Sequence, residues 1–160
     1  MMKIFNELYG NEYIGDNRRF FDAVIDALQI KLDENNFVSI TTVAANYERL
    51  ADARKNFLAQ HSTLLENYLV NEIFLNVYPW RFKESIPINY AAFVTMFKVF
   101  ELILFSSTLK GFNSRSDLLK LIRFFASQTI HSLAFRDKIL ATVKKFDDTF
   151  ALMETLLNVS

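Results

Sequence analysis

INYAAFVTMFKVFELILF, Ile88 to Phe105, is eighteen residues of nearly unbroken apolar sequence. That is close to the length of a membrane span. Two charges argue against one. Lys98 and Glu101 sit in its second half, three residues apart, where they can pair on a helix. At a bilayer centre each costs roughly 2.5–3.5 kcal/mol on insertion scales. Thr95, Lys98 and Glu101 also share one narrow stripe. The segment therefore reads as the central helix of a bundle, with that stripe reaching water. A membrane-embedded or surface-lying helix is the alternative.

The rest of the chain agrees with a bundle. Its 160 residues suit one domain, and 51% apolar composition supports a sizeable core. Three Gly and two Pro leave little material for turns, so long helices with short loops follow. No alternating strand pattern bounded by turn residues is present. The expected fold is all-α, a single-domain bundle of five or six helices over residues 1–160, with residues 1–15 an irregular lead-in.

Upstream, Phe21, Val24, Ile25, Leu28 and Leu32 share a helical face behind Asp16 as N-cap. The polar run Asp33 to Asn36 ends that helix. Ile40, Val43, Tyr47, Leu50 and Phe57 stripe a second helix, and Arg49, Asp52, Arg54 and Lys55 form its solvated side. HSTLLENYLVNEIFLNVYPW, His61 to Trp80, reads as a third, stopped by Pro79. A connector, WRFKESIP, leads to Ile88.

Downstream, Gly111 after Lys110 marks a helix end. Ser114 to Asp117 resembles a capping box, and Leu118, Ile122, Phe125 and Thr129 continue the face. Ile139, Val143, Phe146, Phe150, Met153 and Leu157 alternate spacings of four and three. This stripe predicts one long last helix that either packs inside the bundle or forms a dimer seam.

Catalytic chemistry is sparse. The absence of cysteine removes disulfides, thiolate metal sites, iron–sulfur ligation and thiol nucleophiles from this chain, and fits a cytoplasmic setting. The first fifteen residues show no signal-peptide pattern. His61 and His131 lie seventy residues apart, outside any zinc motif. His131 is expected at a helix end. Ser62 and Ser132 each follow a histidine, without the context of an activated nucleophile. No glycine-rich phosphate cradle exists. Asp147-Asp148 and Glu66 with Glu72 read as solvating or capping carboxylates. A net charge of zero gives no footprint for nucleic acid.

Two features remain as candidate sites. Tyr78, Trp80 and Arg81, with Phe82 and Lys83, interleave aromatic and basic groups around Pro79. Such residues are favoured at binding hot spots. The structural alternative has Trp80 and Phe82 plugging the bundle end while Arg81 and Lys83 meet water. Within the His61–Trp80 stretch, Asn67 and Asn71 fall on one side, Glu72 and Asn76 on another, with Leu64, Leu65, Leu69, Ile73 and Val77 between. A helix so patterned is expected to be packed on more than one side, its buried amides paired in a fold-specifying network. A ligand site is the alternative.

LLENYLVNEIFLNVYPW also resembles the LENYLxNxxFxxxxP segment in the C-terminal half of flagellin lysine-N-methylases, the FliB family. The matching positions are Leu65, Glu66, Asn67, Tyr68, Leu69, Asn71, Phe74 and Pro79. The segments Tyr90–Phe105 and Leu118–Ser132 resemble the family's later helices, so the likeness spans roughly residues 60–135. It implies an enzyme that methylates flagellin lysine ε-amines with S-adenosylmethionine and an iron–sulfur cluster held by an N-terminal cysteine-rich motif. No cysteine is present here, so no cluster ligand carries over. The resemblance thus implies a domain inactive alone, the C-terminal part of a longer enzyme. Its expected partners are flagellin, the cysteine-rich N-terminal part and a second copy of itself. A stand-alone helical adaptor or dimerisation module is the competing expectation, and a peripheral membrane protein using exposed Phe is a third.

Overall fold

The computed structural model describes residues 18–27, 40–75, 80, 82–131 and 133–158. These form six helices: α1 (Arg18–Ala27), α2 (Ile40–Leu75), α3 (Ile86–Leu109), α4 (Arg115–His131), α5 (Leu133–Val143) and α6 (Thr149–Asn158). No strand occurs among the described residues. The lead-in, Asp16, and the 33–36 run lie outside them.

The Ile88–Phe105 stretch is the core of α3. Every other described helix packs against it. Ala91, Ala92, Val99, Phe100 and Ile103 are fully buried, so an all-round apolar sequence is explained by neighbours on all sides. The helix starts two residues earlier than expected, with Ser85 as cap and Pro87 in the first turn, where its missing N–H removes no bond. It ends at a Schellman turn. Gly111, at φ +85°, donates its N–H to Thr108 O at 3.0 Å, and Phe112 N–H to Ser107 O at 3.1 Å.

The expected water-reaching stripe on α3 is instead buried. Thr95, Lys98 and Glu101 are all inside. The Lys98 ammonium lies 2.9 Å from the Glu101 carboxylate, and Arg54 Nε approaches the same carboxylate to 3.9 Å from α2. Thr95 turns its hydroxyl onto Ala91 O at 2.7 Å. Pairing and back-bonding satisfy the polar atoms, so they enter the interior with the apolar residues beside them.

Two helix boundaries differ from the sequence reading. The second and third helices are one element, α2, broken at His61 (φ −136°, ψ 19°). The single last helix is two, α5 and α6. Between them Asp148 accepts hydrogen bonds from the N–H groups of Phe150 (2.9 Å) and Ala151 (3.0 Å), which caps α6. The heptad stripe is thereby cut. Ile139 and Val143 are fully buried on α5, whereas Phe146, Phe150 and Leu157 are exposed. No continuous seam remains for a partner helix.

α4 starts as the sequence predicts. Ser114 Oγ accepts the Asp117 N–H at 3.1 Å and donates to the Asp117 carboxylate. His131 is the last residue of α4.

Candidate functional site

The C-terminal half of α2 carries the family-like string, and it is packed on one side only. Leu65, Tyr68 and Glu72, at i, i+3 and i+7, face inward and are buried. Leu69 is half-buried, and Glu66, Asn67 and Asn71 are exposed. The expected network of buried amides is therefore absent at Asn67 and Asn71. They solvate the outer face, while the inner face buries a carboxylate instead. Phe74 is 76% exposed, with Val70, Ile73 and Leu75 exposed beside it. Asn76, Val77, Tyr78, Pro79 and Arg81 lie outside the described residues.

Past that gap, Trp80 is 70% exposed and Phe82 is buried. The plug at the bundle end is thus Phe82 alone, and Trp80 stands in solvent. Asn89, on the first turn of α3, fixes this connector. Its Oδ1 accepts the Phe82 N–H at 3.0 Å, and its Nδ2 donates to Glu84 O (2.9 Å) and Ser85 O (3.0 Å). The Arg136 guanidinium stacks 5.4 Å from the Phe82 ring centroid. Phe82 is thereby held through both its backbone and its ring. Neither Asn89 nor Arg136 stood out in the sequence. A lone amide just after Pro87, inside an apolar run, was the available signal for the first.

Beneath the helix, Glu72 enters a narrow slot where α2, α3 and α4 meet. Tyr68 and Leu69 flank it on α2, Phe93, Met96 and Phe97 line it from α3, and Phe125 from α4. The rings continue inward as a stack. The Tyr68 and Phe100 centroids are 4.4 Å apart, Phe100 and Phe125 are 5.0 Å apart, and Phe125 and Phe135 are 5.8 Å apart. Such pairs add about 0.5–1.5 kcal/mol each beyond area burial.

A second cleft, about 200 Å³, opens at the break in α2. Asn56, Phe57, Gln60 and His61 border it with Thr108 and Asn113 from the end of α3 and the loop beyond. The His61 ring packs 5.1 Å from Phe57, which in turn meets Phe105 at 5.7 Å. Its polar groups are neutral amides, a hydroxyl and an imidazole, about three helical turns from Glu72. Among the described residues no group of three or more His, Asp or Glu could hold a metal ion. α3 is long and apolar enough to cross a membrane, yet most of that length is buried by other helices here.

Comparison with known proteins gives one match. The chain fits the family model of the FliB lysine N-methylase C-terminal domain over residues 1–157. The family likeness therefore extends well past the 60–135 span that the string suggested. No curated protein and no solved structure matches the chain.

Proposed function

Because the chain belongs to the FliB lysine N-methylase C-terminal domain family, we propose that it is the substrate-docking and scaffold domain of an enzyme that methylates flagellin lysines in the cytoplasm. The observation that carries this reading is the exposed apolar face on the family string. Val70, Ile73 and Phe74, with Trp80 beyond, offer large hydrophobic side chains to solvent from a helix whose other side is anchored in the core. Exposed clusters of this kind mark interaction surfaces, and Trp is favoured among energetic anchors.

The methyl transfer itself is assigned to a cysteine-rich N-terminal part of the enzyme. An iron–sulfur cluster needs thiolate ligands, and this chain has none. The donor set here does not fit that group, and no transfer step is routed through these residues. This domain alone then binds flagellin and turns nothing over.

Binding of flagellin monomers to the full chain, followed by calorimetry, tests the docking role. Phe74→Asp and Trp80→Ala are expected to weaken binding at least about fivefold each, since truncation of an anchor costs more than about 1 kcal/mol. Both side chains are solvent-exposed, so circular dichroism and melting temperature should hold. Unchanged affinity in both variants overturns the proposed surface.

A further inference from the structure

The cleft at the break in α2 gathers hydrogen-bonding groups that the described part of the fold does not use. Asn56 and Gln60 line it from successive turns of α2, and Asn113 lines it from the loop after α3. Among the described residues, none of these three side chains has a hydrogen-bond or ion-pair partner. Each amide presents a carbonyl that accepts and an NH2 group that donates. Thr108, also in the lining, already donates its hydroxyl proton to Phe105 O at 2.7 Å, so it is left to accept. Asn56, Gln60 and Asn113 are exposed, whereas Phe57 and Leu118 are buried. The cleft therefore has a polar rim open to solvent and an apolar floor.

Those groups select the ligand. Apart from His61 the lining holds no ionisable residue. An ion entering the cleft loses hydration and meets no fixed counter-charge. A purely apolar group leaves the amides unpaired. A primary carboxamide carries donors and an acceptor on one small planar unit, so it can answer the amides and Thr108 together. Size agrees. The cleft is about 200 Å³, and a cavity of about 150 Å³ holds benzene, so one amide side chain enters while the chain that bears it stays outside. We infer that this cleft receives the side-chain carboxamide of a glutamine or asparagine in a polypeptide that passes over the α2 break. The site is separate from the Phe74 and Trp80 surface and does not rest on the docking reading.

The test titrates blocked tripeptides into the full chain. Each is acetyl-Ala-Xaa-Ala N-methylamide, with glutamine, asparagine, glutamate, aspartate or norleucine at the centre. The side-chain NH2 resonances of Asn56, Gln60 and Asn113 are followed by NMR. At least one carboxamide peptide should shift them and saturate. Its matching acid and the norleucine peptide should bind at least about fivefold more weakly, because each leaves cleft groups unpaired. Gln60→Leu and Asn113→Ala should each weaken the carboxamide peptide about threefold or more. Both positions are exposed, so the melting temperature should hold. No saturable shift with either carboxamide peptide overturns the inference. So does equal binding of the amide, acid and norleucine peptides, or parent affinity in both folded variants. Free butyramide binding more tightly than either carboxamide peptide overturns the polypeptide origin. Loss of flagellin binding in Phe74→Asp with peptide binding intact leaves the cleft standing, and intact flagellin docking with no peptide binding removes the cleft alone.

Discussion

Lys98 and Glu101 show how one residue pair decides whether an apolar segment is core or membrane. Each is buried and each depends on the other at 2.9 Å. Removing one partner strands a charge in the interior. Lys98→Ala should therefore cost about 3–5 kcal/mol in urea unfolding. Replacing both, as Lys98→Met with Glu101→Leu, should recover part of that loss, because neither member of the close pair is left to desolvate. Arg54 limits the recovery, since its buried Nε loses the Glu101 carboxylate at 3.9 Å although a third of its side chain is exposed. Asn89 is the polar counterpart. It is almost wholly buried, and one side chain satisfies backbone groups of Phe82, Glu84 and Ser85. Asn89→Ala removes these side-chain hydrogen bonds at the end of the core, while Ser85 O keeps the backbone N–H of residue 89, and should destabilise by about 2–3 kcal/mol in the same assay. The sequence disclosed the Lys98–Glu101 pairing through its spacing. It did not disclose the burial, because a stripe of three polar residues on an apolar helix looks the same whether water or Arg54 lies opposite.

At the level of elements, helix ends with a chemical signature were legible and interruptions without one were not. Gly111 and Ser114 announced the turn between α3 and α4 by residue type, and the hydrogen bonds follow. His61 breaks α2 with no proline or glycine to mark it, so the end of one stripe and the start of another were read as two helices. Asp147-Asp148 did contain a cap, but a stripe of correct spacing ran straight through it and hid the break before α6. Periodicity reports which residues can share a face and says nothing of whether the backbone stays helical between them. The two caps give matched predictions. Around Gly111 a methyl group would meet nothing within 4 Å, so Gly111→Ala carries only the left-handed backbone penalty, about 1–2 kcal/mol. Asp148→Ala removes the Oδ1 that accepts from two N–H groups and should cost about 1 kcal/mol. Thermal unfolding should rank Gly111→Asn nearer the parent than Gly111→Ala, because Asn tolerates that conformation better.

For the molecule as a whole, α3 is the hub on which the five other helices of the described residues rest, and this makes stability uneven. No helix can leave α3 without exposing its apolar surface, so the amides of Val99 to Leu104, all in buried residues, should exchange with solvent only through global unfolding. The end of α2 has the opposite character. From Val70 to Leu75 only Glu72 is buried, and the other side chains have no core to hold them. Those backbone hydrogen bonds are exposed to water along one face. Native-state hydrogen exchange should therefore show Val70 to Leu75 opening at a free energy several kcal/mol below that of the α3 centre. If the proposed docking surface is right, addition of flagellin should raise protection there and leave α3 nearly unchanged, because only the apolar face of α2 would be covered. Equal protection of the two segments in the free chain would mean that another part of the protein already covers this face, and the docking surface would then have to be sought elsewhere, with exposed Phe146 and Phe150 the next place to look.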